Sequence, residues 1–283
     1  MKKEKGPDSF FRLIDSGAGG AAFNMALDEA LAITVRSGQT APSVRFYDWE
    51  RPALSLGRFQ KTMDGFHPDF IRESGLDAVV RPTGGRAVLH LPGELTYSVC
   101  SRFEGVFKGK NLFECYGIIS SAISRALSRL GADVEVRRER RGGNGKSKNA
   151  HCFQSVSYAE ITSGGRKLVG SAQRRWPDGF LQQGSIPFET GVPLQEKIFK
   201  GFDPRAMAGV SEVVEAAGEP AGVANPAGVA NPAGQKQKRA ALKLYLTEEF
   251  AAVLGAVLRE AEPDPRELEL ARDLLPAYGL SCF

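Results

Sequence analysis

The sequence predicts an α+β domain in which a mixed sheet is flanked by helices, and three observations lead there. Ala22-Phe-Asn-Met-Ala-Leu-Asp-Glu-Ala-Leu-Ala-Ile repeats apolar residues at helical spacing, with acids early. A succession of short β-like segments then fills the middle of the chain. A long amphipathic helix, Leu112 to Leu130, lies among them. Strands in the middle with helices before and between them give a mixed sheet of the α/β or α+β kind.

The strands read in order as follows. Ser43-Val-Arg-Phe-Tyr-Asp-Trp alternates, and Ala53-Leu-Ser-Leu-Gly ends at a glycine. Asp77-Ala-Val-Val-Arg runs into the turn Pro82-Thr83-Gly84-Gly85, after which Ala87-Val-Leu-His resumes a strand and Glu94-Leu-Thr-Tyr-Ser-Val-Cys gives another. Ala132-Asp-Val-Glu-Val-Arg alternates in polarity. Ser157-Tyr-Ala-Glu-Ile-Thr, the turn at Ser163-Gly-Gly and Arg166-Lys-Leu-Val-Gly read as a β-hairpin, with one more strand at Gly179 to Phe188.

Composition changes at Glu219, where Pro220-Ala-Gly-Val-Ala-Asn repeats at Pro226 and begins again at Pro232. So much Pro and Gly with few large apolar residues cannot bury a core, so residues 211–239 are expected to be a disordered or extended linker. Ala240 to Glu260 then reads as an amphipathic helix, and a second helix starts at Asp264-Pro-Arg. The expected organisation is therefore a catalytic domain over 1–210, the linker over 211–239, and a helical tail over 240–283 that docks on the domain.

Composition narrows the function classes. Of 283 residues, 42% are hydrophobic and 25% charged, as in a soluble globular protein. No run approaches the roughly 20 apolar residues of a membrane span. The charged opening Met1-Lys-Lys-Glu-Lys-Gly-Pro has no apolar stretch behind it, so no secretory signal is read. A net charge of +4 gives no case for nucleic acid. Cys100, Cys115, Cys152 and Cys282 show neither metal-type spacing nor a disulfide framework, so reduced thiols in the cytoplasm are expected. Basic residues bunch at 137–141 and at Lys146-Ser-Lys148, which would suit an acidic partner or a phosphate and equally a solvated loop.

Two clusters could carry chemistry. In Arg81-Pro82-Thr83-Gly84-Gly85-Arg86-Ala87-Val88-Leu89-His90, adjacent glycines let backbone amides approach a ligand, and two arginines frame them. The same residues also suit a turn that requires positive φ, and His90 alone suits a structural histidine. The second cluster is Ala150-His151-Cys152-Phe153 with Arg166-Lys167-Leu168-Val169-Gly170-Ser171-Ala172-Gln173. A thiol becomes a nucleophile as its thiolate, which a nearby cation such as Lys167 favours. If both lie in a strand, His151 faces away from Cys152. Cys100 and Cys115 fit inert buried thiols, and so, on its own, would Cys152.

Taken together and in order, these segments resemble the biotin/lipoate protein ligase and octanoyltransferase superfamily over most of residues 10–190. The matching stretches are Arg12-Leu-Ile-Asp-Ser-Gly, Asn24-Met-Ala-Leu-Asp-Glu-Ala-Leu, Val44-Arg-Phe-Tyr, Leu54-Ser-Leu-Gly-Arg-Phe-Gln, Arg81 to His90, Glu94-Leu-Thr-Tyr-Ser, Lys167-Leu-Val-Gly-Ser-Ala-Gln and Gln183-Gly-Ser-Ile. The pattern is most similar to the LipM-type octanoyltransferases. In two places it departs from the family: Leu91-Pro92-Gly93 follows His90, and the Pro-Ala-Gly-Val-Ala-Asn repeat has no counterpart.

The resemblance implies a biotin/lipoate protein ligase-like catalytic domain that moves octanoyl from acyl carrier protein to a lysine of the glycine-cleavage H protein or a lipoyl domain. It places the nucleophile at Cys152 and its partner at Lys167. Arg81, Thr83, Gly84, Gly85, Arg86, His90, Gly170, Ser171 and Ala172 would bind substrate. Exchange of one thioester for another implies no cofactor and no metal, and a monomer is expected. The competing activities are an ATP-dependent lipoate–protein ligase, an amidotransferase between lipoyl domains, and a non-catalytic acyl-carrier-binding protein.

Overall fold

A computed structural model describes residues 10–60, 64–136, 160–218 and 232–278. Cys152, His151, the basic stretch at 137–148 and residues 219–231 of the repeat lie outside the described residues.

The strands are β1 (Phe10–Gly19), β2 (Ser43–Trp49), β3 (Ala53–Leu56), β4 (Asp77–Val80), β5 (Val88–His90), β6 (Leu95–Arg102), β7 (Glu135–Val136), β8 (Ile161–Ser163), β9 (Arg166–Arg175), β10 (Gly179–Ile186) and β11 (Val257–Glu260). The helices are α1 (Ala21–Arg36), α2 (Pro68–Glu73), α3 (Leu112–Arg129), α4 (Val192–Ile198), α5 (Val210–Gly218), α6 (Pro232–Leu254) and α7 (Pro265–Tyr278). Eight strands form a mixed sheet in the order β11-β1-β2-β6-β10-β9-β8-β7, and three form a small second sheet, β4-β3-β5. In the large sheet β1 runs parallel to both β11 and β2, and the pairings from β2 to β7 are antiparallel.

Period-two alternation sends the strand residues to two cores. On one face Val44, Phe46, Leu95, Tyr97 and Val99 pack with Ile119, Ile123 and Leu127 of α3 and with Leu242, Leu246 and Phe250 of α6. On the other face Tyr47, Trp49, Cys100 and Leu181 pack with Met25, Leu27 and Leu31 of α1 and with Ala271 and Tyr278 of α7. The small sheet turns Leu54, Leu56 and Leu89 toward Phe66, Ile71, Ile198 and Phe199. Its alternate residues, Ser55, Val88 and His90, face the large sheet across a cavity. α3 begins with a capping box, in which Asn111 Oδ1 accepts from Phe113 and Glu114 N–H and Glu114 returns a bond to Asn111 N–H.

The C-terminal third departs from the expected organisation at both ends of the repeat. Residues 211–218 and 232–239, expected in the linker, are helical. Val210 and Val213 are buried in the main core, and Pro232 opens α6 at a position where its missing N–H costs nothing. The helix expected through Glu260 stops at Leu254, Gly255 takes φ +58°, and Val257–Glu260 pairs with Phe10–Leu13 as an edge strand. The tail is therefore part of the main sheet as well as being packed on it. A strand at Phe10–Gly19 was not anticipated either. No described helix is long and apolar enough to cross a membrane.

Candidate active site

The cavity has about 30 Å³ of space accessible to the centre of a water molecule and lies between the two sheets and α1. The large sheet contributes Tyr47, Trp49, Thr96, Gln183 and Ser185 from three strands, and Gly170, Ser171 and Ala172 from β9. Met25 projects from α1, and Ser55, Arg81, Val88 and His90 close the cavity from the small-sheet side.

Glycines shape one wall. Gly184 pairs with Tyr97 on β6 and Ser171 on β9. A methyl group on Gly184 would lie 2.2 Å from Tyr97 Cε1, so only glycine lets that ring lie flat over the strand. The Tyr97 hydroxyl is 2.8 Å from Ser171 Oγ and accepts from Gln182 Nε2 at 3.1 Å. Burial outweighs those two bonds and pushes the Tyr97 phenol up to about 12.

Arg81, expected to frame a ligand, is mostly occupied by its own chain. Its guanidinium donates to Gly84 O at 2.6 and 3.1 Å, to Arg86 O at 2.7 Å, and to Ser55 O and Oγ at 3.0 and 3.2 Å. It thereby staples the turn, in which Gly85 takes φ +91°. Thr83 is tied across to the large sheet. Its Oγ1 donates to Gln183 Oε1 at 2.7 Å, and Gln183 Nε2 donates to Asp28 Oδ2 at 2.7 Å. Asp28 is fully buried on α1 and also accepts from Arg45 (2.7 Å), Tyr47 (2.9 Å) and Ser98 (2.7 Å). Burial first, and the Asp28 carboxylate second, hold the Tyr47 phenol protonated well above its ordinary range.

His90 occupies a relay. Its Nδ1 lies 2.7 Å from Glu94 Oε1 and its Nε2 lies 2.7 Å from Ser55 Oγ, while the ring stacks on Trp49 at 4.0 Å between centroids. Glu94 also accepts from Trp49 Nε1 at 2.9 Å, from Thr96 Oγ1, and from Ser185 Oγ at 3.2 Å.

Of the residues expected from sequence, Arg81, His90, Gly170, Ser171 and Ala172 come together on the cavity. Thr83, Gly84, Gly85 and Arg86 do not line it; they form the stapled turn beside it. Lys167 is three residues upstream of Gly170 on the same strand, buried, and paired with Glu160. The described cysteines fit the inert reading: both are buried, and burial pushes both thiols up. The sequence reading missed Ser55, Trp49, Thr96, Gln183 and Ser185, polar or aromatic groups inside strands, and Glu94, which immediately precedes β6. For Gln183, the segment Gln183-Gly-Ser-Ile had carried the signal. No group of three metal-ligating side chains occurs among the described residues.

The whole arrangement is similar to solved lipoate ligases. A lipoate-protein ligase A bound with ATP aligns at TM-score 0.72 with 21% identity, covering 94% of each chain. A bi-partite lipoate protein ligase with its E2 lipoyl domain, from Thermoplasma acidophilum, aligns at 0.67 with 20% identity, covering 94% and 92%. The molecule thus has the catalytic fold of the lipoate/biotin protein ligases, a class of acyl-handling enzymes. In sequence, residues 20–230 match the lipoyl protein ligase A/B catalytic domain. An octanoyltransferase LipM from Kyrpidia tusciae is 34% identical over 283 aligned residues, 95% of this chain and 96% of the relative. One from Moorella thermoacetica is 43% identical over 180 residues, 64% and 66% of the two chains. Another from Geobacillus kaustophilus is 41% identical over 194 residues, 67% and 69%. The chain belongs to the lipoyl protein ligase A/B catalytic-domain family, within it to the LipM octanoyltransferases, and is an acyltransferase of the lipoylation pathway.

Proposed function

We propose that this enzyme transfers octanoyl from acyl carrier protein, through a thioester on Cys152, to a lysine of the glycine-cleavage H protein or a lipoyl domain in the cytoplasm. The observation that carries the reading is the cavity. It is narrow and lies between two sheets. Gly170–Ala172 line it just downstream of Lys167. The Cys152 thiolate attacks the thioester carbonyl, the C–S bond breaks, and the carrier thiol leaves. One thioester replaces another, so the step is near energetic balance without ATP. The neutral amine of the acceptor lysine then attacks the acyl-enzyme and forms the amide, releasing Cys152. Lys167 favours the thiolate and donates a hydrogen bond to the developing oxyanion. The acyl chain gains about 0.8 kcal/mol per buried methylene along the cavity. Basic residues at 137–148 steer the acidic protein substrates.

Intact-mass measurement after incubation with octanoyl-acyl carrier protein, with and without ATP, tests this. An octanoyl adduct that peptide mapping places on Cys152 is expected on the wild type without ATP. A wild-type adduct that maps away from Cys152, or one that requires ATP and free acid, would overturn the reading.

A further inference from the structure

The relay around His90 has the form of a nucleophilic centre. A hydroxyl, an imidazole and a carboxylate stand in sequence with contacts of 2.7 Å at each step, Ser55 Oγ to His90 Nε2 and His90 Nδ1 to Glu94 Oε1. That order of groups is what activates a serine: the base within reach of the hydroxyl and a third group orienting the base. Arg81 fixes the direction of the first bond. A guanidinium only donates, so Ser55 Oγ accepts from Arg81 Nη1 at 3.2 Å and has its own hydrogen left to give to Nε2. The other end is equally constrained. Glu94 accepts from Trp49, Thr96 and Ser185, and its Oε1 accepts from His90 as the Nδ1–H tautomer. Trp49, stacked on the imidazole at an interplanar angle of 15°, stops the ring from turning. Ser55 and His90 both line the cavity, so the hydroxyl faces the space assigned above to the acyl chain.

We propose that Ser55, His90 and Glu94 form a second nucleophilic centre on the cavity wall, giving the protein a thioester-hydrolysing activity toward medium-chain acyl thioesters. Ser55 Oγ attacks the thioester carbonyl carbon as its proton passes to His90 Nε2. The C–S bond breaks and the departing thiol takes that proton. Water then attacks the Ser55 ester, giving a proton to His90. The ester C–O bond breaks, Ser55 recovers the proton, and the free acid leaves. The net change is thioester plus water to acid plus thiol, with Glu94 stabilising the imidazolium in each half. The inference rests on the cavity being the acyl site but not on Cys152 being the transferase nucleophile.

The test uses an octyl fluorophosphonate, which a serine so activated attacks with loss of fluoride. The full-length Cys152→Ala protein is treated with the probe and the adduct is mapped by peptide mass. We expect one adduct, on Ser55, lost in Ser55→Ala, slowed at least tenfold in His90→Gln, and slowed at least tenfold by excess octanoyl-coenzyme A. Octanoyl-coenzyme A hydrolysis by Cys152→Ala should fall at least tenfold when Ser55→Ala is added. Circular dichroism matched to the parent establishes folding of each variant, and competition by octanoyl-coenzyme A needs no variant at all. An unlabelled Ser55, labelling undiminished in His90→Gln or by the competitor, or hydrolysis unchanged by Ser55→Ala would each overturn the proposal. Failure of the Cys152 reading has a different signature, an octanoyl adduct that survives on Cys152→Ala, away from Ser55.

Discussion

Replacing Glu267 by Ala should destabilise the whole enzyme, and more so at neutral than at acid pH. Glu267, on α7, is fully buried, and its carboxylate accepts from five donors. Arg12 donates twice, at 2.8 and 2.7 Å; Thr34 and Thr40 donate at 2.7 and 3.0 Å, and Asp264 N–H at 2.7 Å. Truncation leaves the Arg12 guanidinium buried without its carboxylate, a loss on the order of 3–5 kcal/mol. Against a total stability of about 5–15 kcal/mol and a urea slope of ~2 kcal/mol/M, the unfolding midpoint should drop by about 2 M. Burial alone would raise the Glu267 carboxyl, but the bonds from Arg12 and Thr34 outweigh it and hold the carboxyl below its ordinary value. For an acid with a depressed folded pKa, the stabilisation is complete above the unfolded pKa of about 4.3 and is lost as pH falls through the folded one. The gap between wild type and variant should therefore be widest at pH 7 and narrow below pH 4. Urea titrations at both pH values measure it. A midpoint shift below about 0.5 M at pH 7, or a gap that stays constant down to pH 3, would refute the argument.

Three further outcomes follow from the cavity and the residues around it. Gly184→Ala puts a methyl group against the Tyr97 ring and should cost about 1–3 kcal/mol, read in a thermal melt, with slower octanoyl loading by intact mass; an unchanged melt would show that the ring has room to move. Thr83→Val removes the bond to Gln183 and should cost about 0.5–1.5 kcal/mol while raising KM for the acyl donor more than it lowers kcat, a split visible in steady-state kinetics. The Tyr97 phenol, raised from 10.0 to about 12, keeps its proton when folded over a range in which the unfolded chain loses it. Stability should therefore fall as pH rises from about 10 to 12, and Tyr97→Phe should reduce that fall in alkaline urea titrations.

Legibility in the sequence followed locality. The strands at 43–49, 53–56, 77–80 and 88–90 and the helix at 112–129 carry their own periodicity, and the structure has them there. β11 was read as helix because the four residues Val257–Glu260 mostly face solvent and pair only with Phe10–Leu13, which are distant in sequence. The helices flanking the repeat were hidden by its Pro and Gly content. Burial of Val210 and Val213 against the core, which no local window contains, decides α5. At the site, Arg81, His90 and Gly170–Ala172 stood out because glycines and charges interrupt strand patterns. Ser55, Glu94 and Gln183 did not, because a polar residue in an alternating strand reads as solvent-facing. Here the solvent side of one sheet is covered by the other.

That covering explains why the cavity is built on polar bonds. Apolar packing is non-directional and would leave two facing sheets free to slide by a fraction of a residue. Directional bonds span the gap at two points. From the large sheet, Trp49, Thr96 and Ser185 converge on Glu94, and Glu94 holds His90 of the small sheet. Gln183 of the large sheet holds Thr83 in the stapled turn. The second link runs on through Gln183 to Asp28 of α1. Thr34 of α1 in turn meets the Glu267 carboxylate of α7. A satisfied buried network of this kind fixes position better than it adds stability. α7, which reads in the sequence as part of a docked tail, therefore helps set the spacing of the cavity. Loosening Glu267 should be felt at Thr83 as well as in the unfolding midpoint.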